Sequence, residues 1–207
     1  MKNFADIGLQ IPDILLPYES IDANKWAVIA CDQFTSEPGY WKDLEQHVGN
    51  HPSTLKMILP EVYLENRDKE KRILSTQNTM NSYLRDEIFT PFEGLILVER
   101  TVEHAGNKVK RFGLIVALDL EKYEYEKGAQ SLIRATEGTI IDRLPPRMKI
   151  RRGAPLELPH ILVLIDDPLQ TVIEPLAQLS DSFPIAYDAE LFGNGGHLKG
   201  YKIANNK

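Results

Sequence analysis

The densest chemistry in the chain lies in ten residues of its C-terminal half. Between Arg143 and Arg152 stand Arg143, Arg147, Lys149, Arg151 and Arg152, with no acid among them. Several guanidinium forks arranged around a short helix and the Pro145-Pro146 turn can hold phosphate oxygens in bidentate fashion. Just upstream, Thr136-Glu137-Gly138-Thr139 supplies a carboxylate, two hydroxyls and a flexible backbone. Thr139 followed by Asp142 fits a capping box, which makes the amides around Thr139 a helix N-terminus and an anion site. The competing reading is a solvated basic face paired with acids elsewhere, such as those in residues 119–126. The residues alone leave both open.

Asp32-Gln33-Phe34-Thr35-Ser36 is a second candidate. It follows an apolar run, where α/β folds often place ligand-binding turns. Asp32 there is either a general base or magnesium ligand, or simply part of a capped strand-to-helix turn. Cys31 is the only cysteine, and an inward-pointing thiol in an apolar run is inert. His47 and His51 have a helical metal spacing, but Gly49, Asn50 and Pro52 break the helix between and after them, so no metal site is assigned. Gly193-Asn194-Gly195-Gly196 lacks the Lys-Ser/Thr of a P-loop and reads as a hairpin turn. Neither a G-x-S-x-G elbow nor an H-E-x-x-H motif is present.

The remainder of the chain must position these groups. Its 207 residues are 43% hydrophobic and 26% charged, ordinary for a globular protein long enough to bury a core. The net charge of −6 argues against a protein coated for DNA or anionic membrane and makes the basic decad a local inversion. With one cysteine, neither an intrachain disulfide nor a Cys-rich zinc site is possible. No secretory h-region follows Met1-Lys2-Asn3. The longest apolar runs, Trp26–Cys31 at six residues and Leu114–Leu118 and Ile161–Ile165 at five each, fall far short of the roughly 20 of a spanning helix. The expectation is a cytoplasmic protein with no membrane contact.

Residues 7–17, interrupted by Pro12 and Pro17, suit an extended arm. Trp26–Cys31 reads as a buried strand, with Ser36 capping the next helix and Pro38 in its first turn. Residues 67–89 give a helix through Ile73, Leu74, Met80, Leu84 and Ile88. A hairpin pairs Leu95–Glu103 with Val109–Leu120 around Ala105-Gly106-Asn107. His160–Ile165 reads as a second buried strand, Leu169–Leu179 as a helix, and Ile185–Leu191 with His197–Ile203 as another hairpin. Residues 121–130 are polar and exposed. The fold class is α/β, of the α+β kind: a single domain over 1–207 with a mixed sheet, β-hairpins and flanking helices.

Three blocks carry a family resemblance: Trp26-Ala-Val-Ile-Ala-Cys-Asp-Gln-Phe-Thr-Ser-Glu-Pro38, Leu59-Pro-Glu-Val-Tyr-Leu64 and Arg134-Ala-Thr-Glu-Gly-Thr139. Together they resemble the bacterial and archaeal family known as domain of unknown function ten-fifteen, over nearly the whole chain. The resemblance implies kinship with the ParB/sulfiredoxin-like superfamily, whose members bind nucleotides and include CTPases and a free-serine kinase. It matches Glu137 and Thr139 to a His-Glu-x-Thr block followed by Arg143, and Asp32 to the aspartate of a Pro-Tyr-Asp block. Two departures stand out. Thr136 replaces the histidine of many members, which argues against a histidine-dependent step, and Ala30-Cys31 replaces Pro-Tyr. Members are commonly longer, so the chain is expected to be the N-terminal part of a larger protein.

The leading expectation is a nucleotide- or phosphometabolite-binding domain with kinase-like small-molecule phosphotransfer, working with a nucleotide and magnesium. Arg143, Arg147, Arg151 and Arg152 would hold phosphate, supported by Thr139. Glu137 would accept the substrate hydroxyl proton, and Asp32 would assist it or position magnesium. The alternative is a non-catalytic interaction or scaffold domain that docks an acidic partner on residues 143–152. Single-stranded nucleic acid is discounted, because residues 134–159 contain no Phe, Tyr or Trp to stack bases.

Overall fold

Prolines shape the start of the chain. In this computed structural model, which describes residues 4–204 apart from 136, 137, 139, 140 and 159, Pro12 and Pro17 keep residues 9–17 extended. They form β1 (Leu9–Gln10) and β2 (Asp13–Pro17), as the arm reading expected. Each strand is tied down by a distant partner. β1 pairs with β5 (Ala117–Leu118), and β2 pairs with the first residues of β3 (Phe89–His104).

The expected strand at Trp26–Cys31 does not form. Asp22 accepts the Asn24 amide at 3.0 Å and caps a single helical turn, α1 (Ala23–Trp26). Residues 27–30 then run without a strand partner. The run is anchored by other groups: the Thr54 hydroxyl donates to the Trp26 carbonyl at 2.7 Å, and the Glu61 amide donates to the Cys31 carbonyl at 2.8 Å. Apolarity correctly marked Trp26 and Ile29 as buried, but their backbone is satisfied by side chains and turns instead of a ladder. In α2 (Pro38–Val48), Pro38 occupies the first turn as expected. The cap position is Glu37, without a side-chain hydrogen bond, so Ser36 does not cap this helix.

Trp41, Leu44 and Val48 recur on one face of α2 and build the main core with Ile29, Leu55, Leu59, Tyr63, Ile73 and Leu191. α3 (Lys69–Arg85) supplies Ile73, Thr76 and Met80 to the interior, whereas Leu74 and Leu84 face outward. The helix stops short of the expected residue 89. Glu87 turns through a left-handed φ of 53°, and Phe89 already pairs in the sheet.

The main sheet is antiparallel. β4 (Asn107–Ile115) and β9 (Gly196–Ala204) flank β3, and β8 (Ile185–Leu191) lies beyond β9. Both expected hairpins are present. The β3–β4 ladder closes at His104↔Asn107 across Ala105 and Gly106, both with positive φ (49° and 77°), as a right-twisting two-residue turn requires. Parallel pairing among the described residues is confined to β6 (Tyr123–Glu124) with β7 (Ile133–Arg134).

The expected strand at His160–Ile165 is also absent. These residues have no regular structure, and Leu162 is 81% exposed. The run has strand propensity, but among the described residues no sheet edge is paired with it. The turn after it does form, because the Asp167 carboxylate accepts the amides of Thr171 (2.7 Å) and Val172 (2.9 Å). Two helices complete an α+β arrangement: α4 (Leu144–Arg152) and α5 (Ile173–Gln178), the latter inside the expected Leu169–Leu179. Among the described residues no helix is long and apolar enough to cross a membrane.

Candidate functional site

The basic decad folds as α4, with Pro145 and Pro146 in its first turn, where a missing N–H leaves no ladder bond broken. α4 docks on α3 through Gln77, whose side-chain amide donates to the carbonyls of Lys149 (3.1 Å) and Ile150 (2.9 Å). Ile150 reaches the main core. This docking leaves Arg147 directed at a short 3-10 turn, Glu61–Tyr63, in which Tyr63 is buried, as is Leu59 just before it. The Arg147 guanidinium donates to the Glu61 carboxylate, which is only 9% exposed.

Glu61 is in turn tied to the Cys31–Glu37 segment through its amide bond to the Cys31 carbonyl. Arg147 therefore sits within electrostatic reach of Cys31 and Asp32 as well. Its own pKa is raised, chiefly by the hydrogen bond to Glu61. The Cys31 thiol is pushed up by burial first, and then by the negative charges of Asp32 and Glu61, with Arg147 offsetting part of the effect. A half-buried thiol held protonated is a poor nucleophile. Asp32 is exposed at the surface of this cluster.

Arg147, Cys31 and Asp32 thus come together from opposite parts of the chain. Glu61 joins them, although the sequence reading gave it no role. Its signal was present in the Leu59–Leu64 block, a carboxylate framed by apolar residues and a proline. Glu137 and Thr139 lie outside the described residues, as does the Arg143 side chain; the Arg143 backbone closes a 3-10 turn, Ile141–Arg143. Arg151 pairs with Glu157 at 2.9 Å and Lys149 with Glu70 at 2.6 Å. Arg152 is exposed and has no ion-pair partner among the described residues. Among the described residues the decad does meet acids, and they are Glu61, Glu70 and Glu157 instead of residues 119–126. That acidic stretch is held at the N-terminal arm, where Lys122 donates to the Ala5 carbonyl at 2.6 Å. The Lys149 and Arg151 pairs are solvated and worth about 0–1 kcal/mol each.

A second polar cluster lies on the sheet and was not anticipated. Strand alternation puts Glu99 and Thr101 on the same face as His197, Lys199 and Tyr201. The Tyr201 hydroxyl donates to Glu99 at 3.0 Å, and the Lys110 ammonium sits 2.6 Å from the same carboxylate. Burial alone would raise the Glu99 pKa, but hydrogen bonds from Lys110 and Tyr201 outweigh it and hold the carboxyl below its usual range. Beside this group, Asp188 bridges His197 (2.6 Å) and Lys199 (3.2 Å).

The remaining candidates have structural explanations. His47 lies on α2 and His51 beyond Gly49, and among the described residues no group of three or more His, Cys, Asp or Glu is arranged to hold a metal. Gly193–Gly196 is the β8–β9 turn, and the Arg100 guanidinium donates to its Gly195 carbonyl. A surface depression of about 250 Å³ lined by Ile7, Lys122 and Ser131 includes none of the Arg147 cluster.

No curated protein and no solved structure is matched significantly by this chain. The three blocks that carry the resemblance include both the Cys31–Asp32 turn and Glu61, two of the segments that meet at Arg147. Residues 15–207 match the model of the family described as Protein of unknown function (DUF1015), and the chain belongs to that family.

Proposed function

We propose that this protein binds a phosphorylated small molecule or nucleotide where the Cys31–Glu37 turn, Glu61 and α4 meet, and that its chemistry is kinase-like phosphotransfer. The observation that carries the reading is the convergence of Arg147 with Asp32 around Glu61. An arginine resting on a carboxylate is already oriented for a bidentate oxyanion, and a phosphate can take the place of Glu61. Arg143, Arg151 and Arg152 lie on the same short stretch, and the exposed Arg152 adds charge with no ion pair to break among the described residues. Thr139 would support the phosphate through its hydroxyl and amide, and Glu137 would accept the proton of the substrate hydroxyl. Asp32, a single exposed carboxylate, suits a magnesium ion that arrives on phosphates and keeps most of its waters. Positioning and charge neutralisation would supply most of the rate.

The test is a thermal-shift panel of ATP, ADP, CTP, GTP and pyrophosphate with and without magnesium, against an Arg143→Ala, Arg147→Ala double variant. A ligand at a hundred times its dissociation constant adds about 2.7 kcal/mol of stability. The expected result is a melting shift that the double variant loses; a flat panel on folded protein rejects the reading.

One separate observation favours an interaction role. Ile161, Leu162 and Leu164 are strongly exposed in succession, an apolar strip of the kind that marks binding surfaces. The basic segment could serve the same role only by exchanging the carboxylate partners of Arg147, Lys149 and Arg151 for those of an acidic partner. If a second copy covers the strip, light scattering will show a dimer that Leu162→Asp dissociates.

A further inference from the structure

Phe34 stands two residues after Asp32 with its backbone at φ 49°, a left-handed conformation that an aromatic L-residue rarely adopts. The surrounding turn fixes it there, since the Glu37 amide donates to the Phe34 carbonyl at 3.0 Å. The conformation does not serve to bury the ring, which remains 36% exposed. Its effect is to lay the ring flat on Tyr40, with centroids 4.3 Å apart and planes 17° from parallel. Tyr40 is itself immobilised. Its hydroxyl donates to the Phe192 carbonyl at 3.2 Å, and its ring meets Trp41 and Phe192 edge-on. Gly193 allows the β8–β9 turn to close over that ring, because a Cβ there would lie 2.8 Å from it. Trp41 is fully buried, so a continuous aromatic column runs from the core to the surface and ends in Phe34.

Strained backbone persists where the surrounding structure enforces it, and it concentrates at binding sites. A rigid aromatic plate at the surface, beside an exposed carboxylate and within the segment that Arg147 faces, has the composition of a nucleobase platform. Stacking on such a plate accepts any base, because every base has a π-face. We propose that Phe34, backed by Tyr40, stacks the heteroaromatic base of a nucleotide whose phosphates reach the cations of α4. The inference rests on the phosphate-binding reading above and makes it more specific: the ligand is a nucleotide, and not merely a phosphorylated metabolite.

Calorimetric titration of the full chain with magnesium ATP and with magnesium tripolyphosphate, which has no base, separates the two ideas. Phe34→Ala is expected to weaken ATP about tenfold and leave tripolyphosphate within twofold, while Phe34→Tyr retains wild-type affinity. Arg147→Ala is expected to weaken both ligands. Equal ATP affinity in wild type and Phe34→Ala overturns the platform while leaving phosphate binding intact, as does an equal loss for both ligands in Phe34→Ala. Failure of wild-type protein to bind either ligand rejects the parent reading and the platform together. A readout that needs no variant guards against misfolding: a 2-aminopurine nucleotide bound to wild-type protein should lose fluorescence on stacking, and undiminished emission at saturation contradicts the proposal.

Discussion

Glu99 and Glu61 are both nearly buried carboxylates facing a partly exposed cation, at side-chain exposures of 8% and 9%. Their surroundings differ. Glu99 is fixed in the central strand β3, and the register of three strands brings Lys110, Thr101 and Tyr201 to its two oxygens. Glu61 sits in a three-residue turn, and its cation comes from α4, a helix that docks through Gln77 and Ile150. A carboxylate held by a sheet is part of the framework. The other meets a guanidinium from a peripheral helix beside an exposed aspartate, and it is this guanidinium that the proposed phosphate would take over. Under that proposal the same pair of charges serves stability at one site and exchange at the other.

The comparison breaks first at Glu99. Glu99→Ala leaves the Tyr201 hydroxyl and Lys110 without their acceptor, and is expected to cost about 2–3 kcal/mol in urea unfolding. A loss no larger than that of an exposed ion pair would remove the distinction between the two sites.

Acid tests the same contrast without a substitution. The Glu99 carboxyl titrates below its ordinary 4.5 in the folded state, because bonds from Lys110 and Tyr201 overcome the upward push of burial. Its stabilisation is fully present above that value and is lost as pH falls through the lower folded pKa. Asp188 adds to the same window, since His197 and Lys199 hold its carboxyl low despite the opposing effect of burial. Unfolding free energies measured between pH 6 and about pH 3 should fall steeply for wild type. Glu99→Gln should flatten part of that slope, leaving the share of Asp188.

At the other site the expected stability effect is smaller and the binding effect larger. Glu61→Gln, which leaves a neutral amide oxygen to accept from Arg147, should change stability by no more than about 1 kcal/mol. Glu61→Gln should also tighten pyrophosphate, because Arg147 no longer has to leave a carboxylate. A calorimetric titration in which Glu61→Gln binds pyrophosphate more weakly than wild type would make Glu61 a positioning group and not a competitor for the guanidinium.

The smallest effect sharpens the sheet side. Ala105 sits at φ 49° in the turn that sets the β3–β4 register. Ala105→Asn supplies the residue that tolerates this conformation and should add about 0.5–1 kcal/mol, read as an upward shift of the melting temperature.

Much of the fold was legible where the cause is local. Both hairpins follow from alternation and turn chemistry, and α2 and α3 follow from period and proline placement. The two apolar runs misread as strands, Trp26–Cys31 and His160–Ile165, show the limit of that logic. A run of apolar residues states a preference for burial, but a strand also needs a neighbouring edge, and no local residue encodes whether one is available. The site divides in the same way. The basic decad and Asp32 were visible as charge and position, while Glu61 was visible only as one residue of the Leu59–Leu64 block. Glu99 was not recognised, because a single acid in an apolar strand has no meaning until its cross-strand partners are known.

Composition and order by themselves determined a folded, acidic chain with one thiol, two hairpins, an amphipathic helical layer and a concentrated basic segment. These are properties of short stretches, fixed by side-chain period, backbone dihedral preference and charge. Tertiary structure decided which carboxylates Arg147, Lys149 and Arg151 meet, that Arg147 faces the Cys31–Asp32 turn, and that Phe34 ends an aromatic column at the surface. Those choices depend on how α4 packs on α3 and how β9 registers on β3, and short-range charge and stacking forces act only between groups that packing has already brought within a few ångströms.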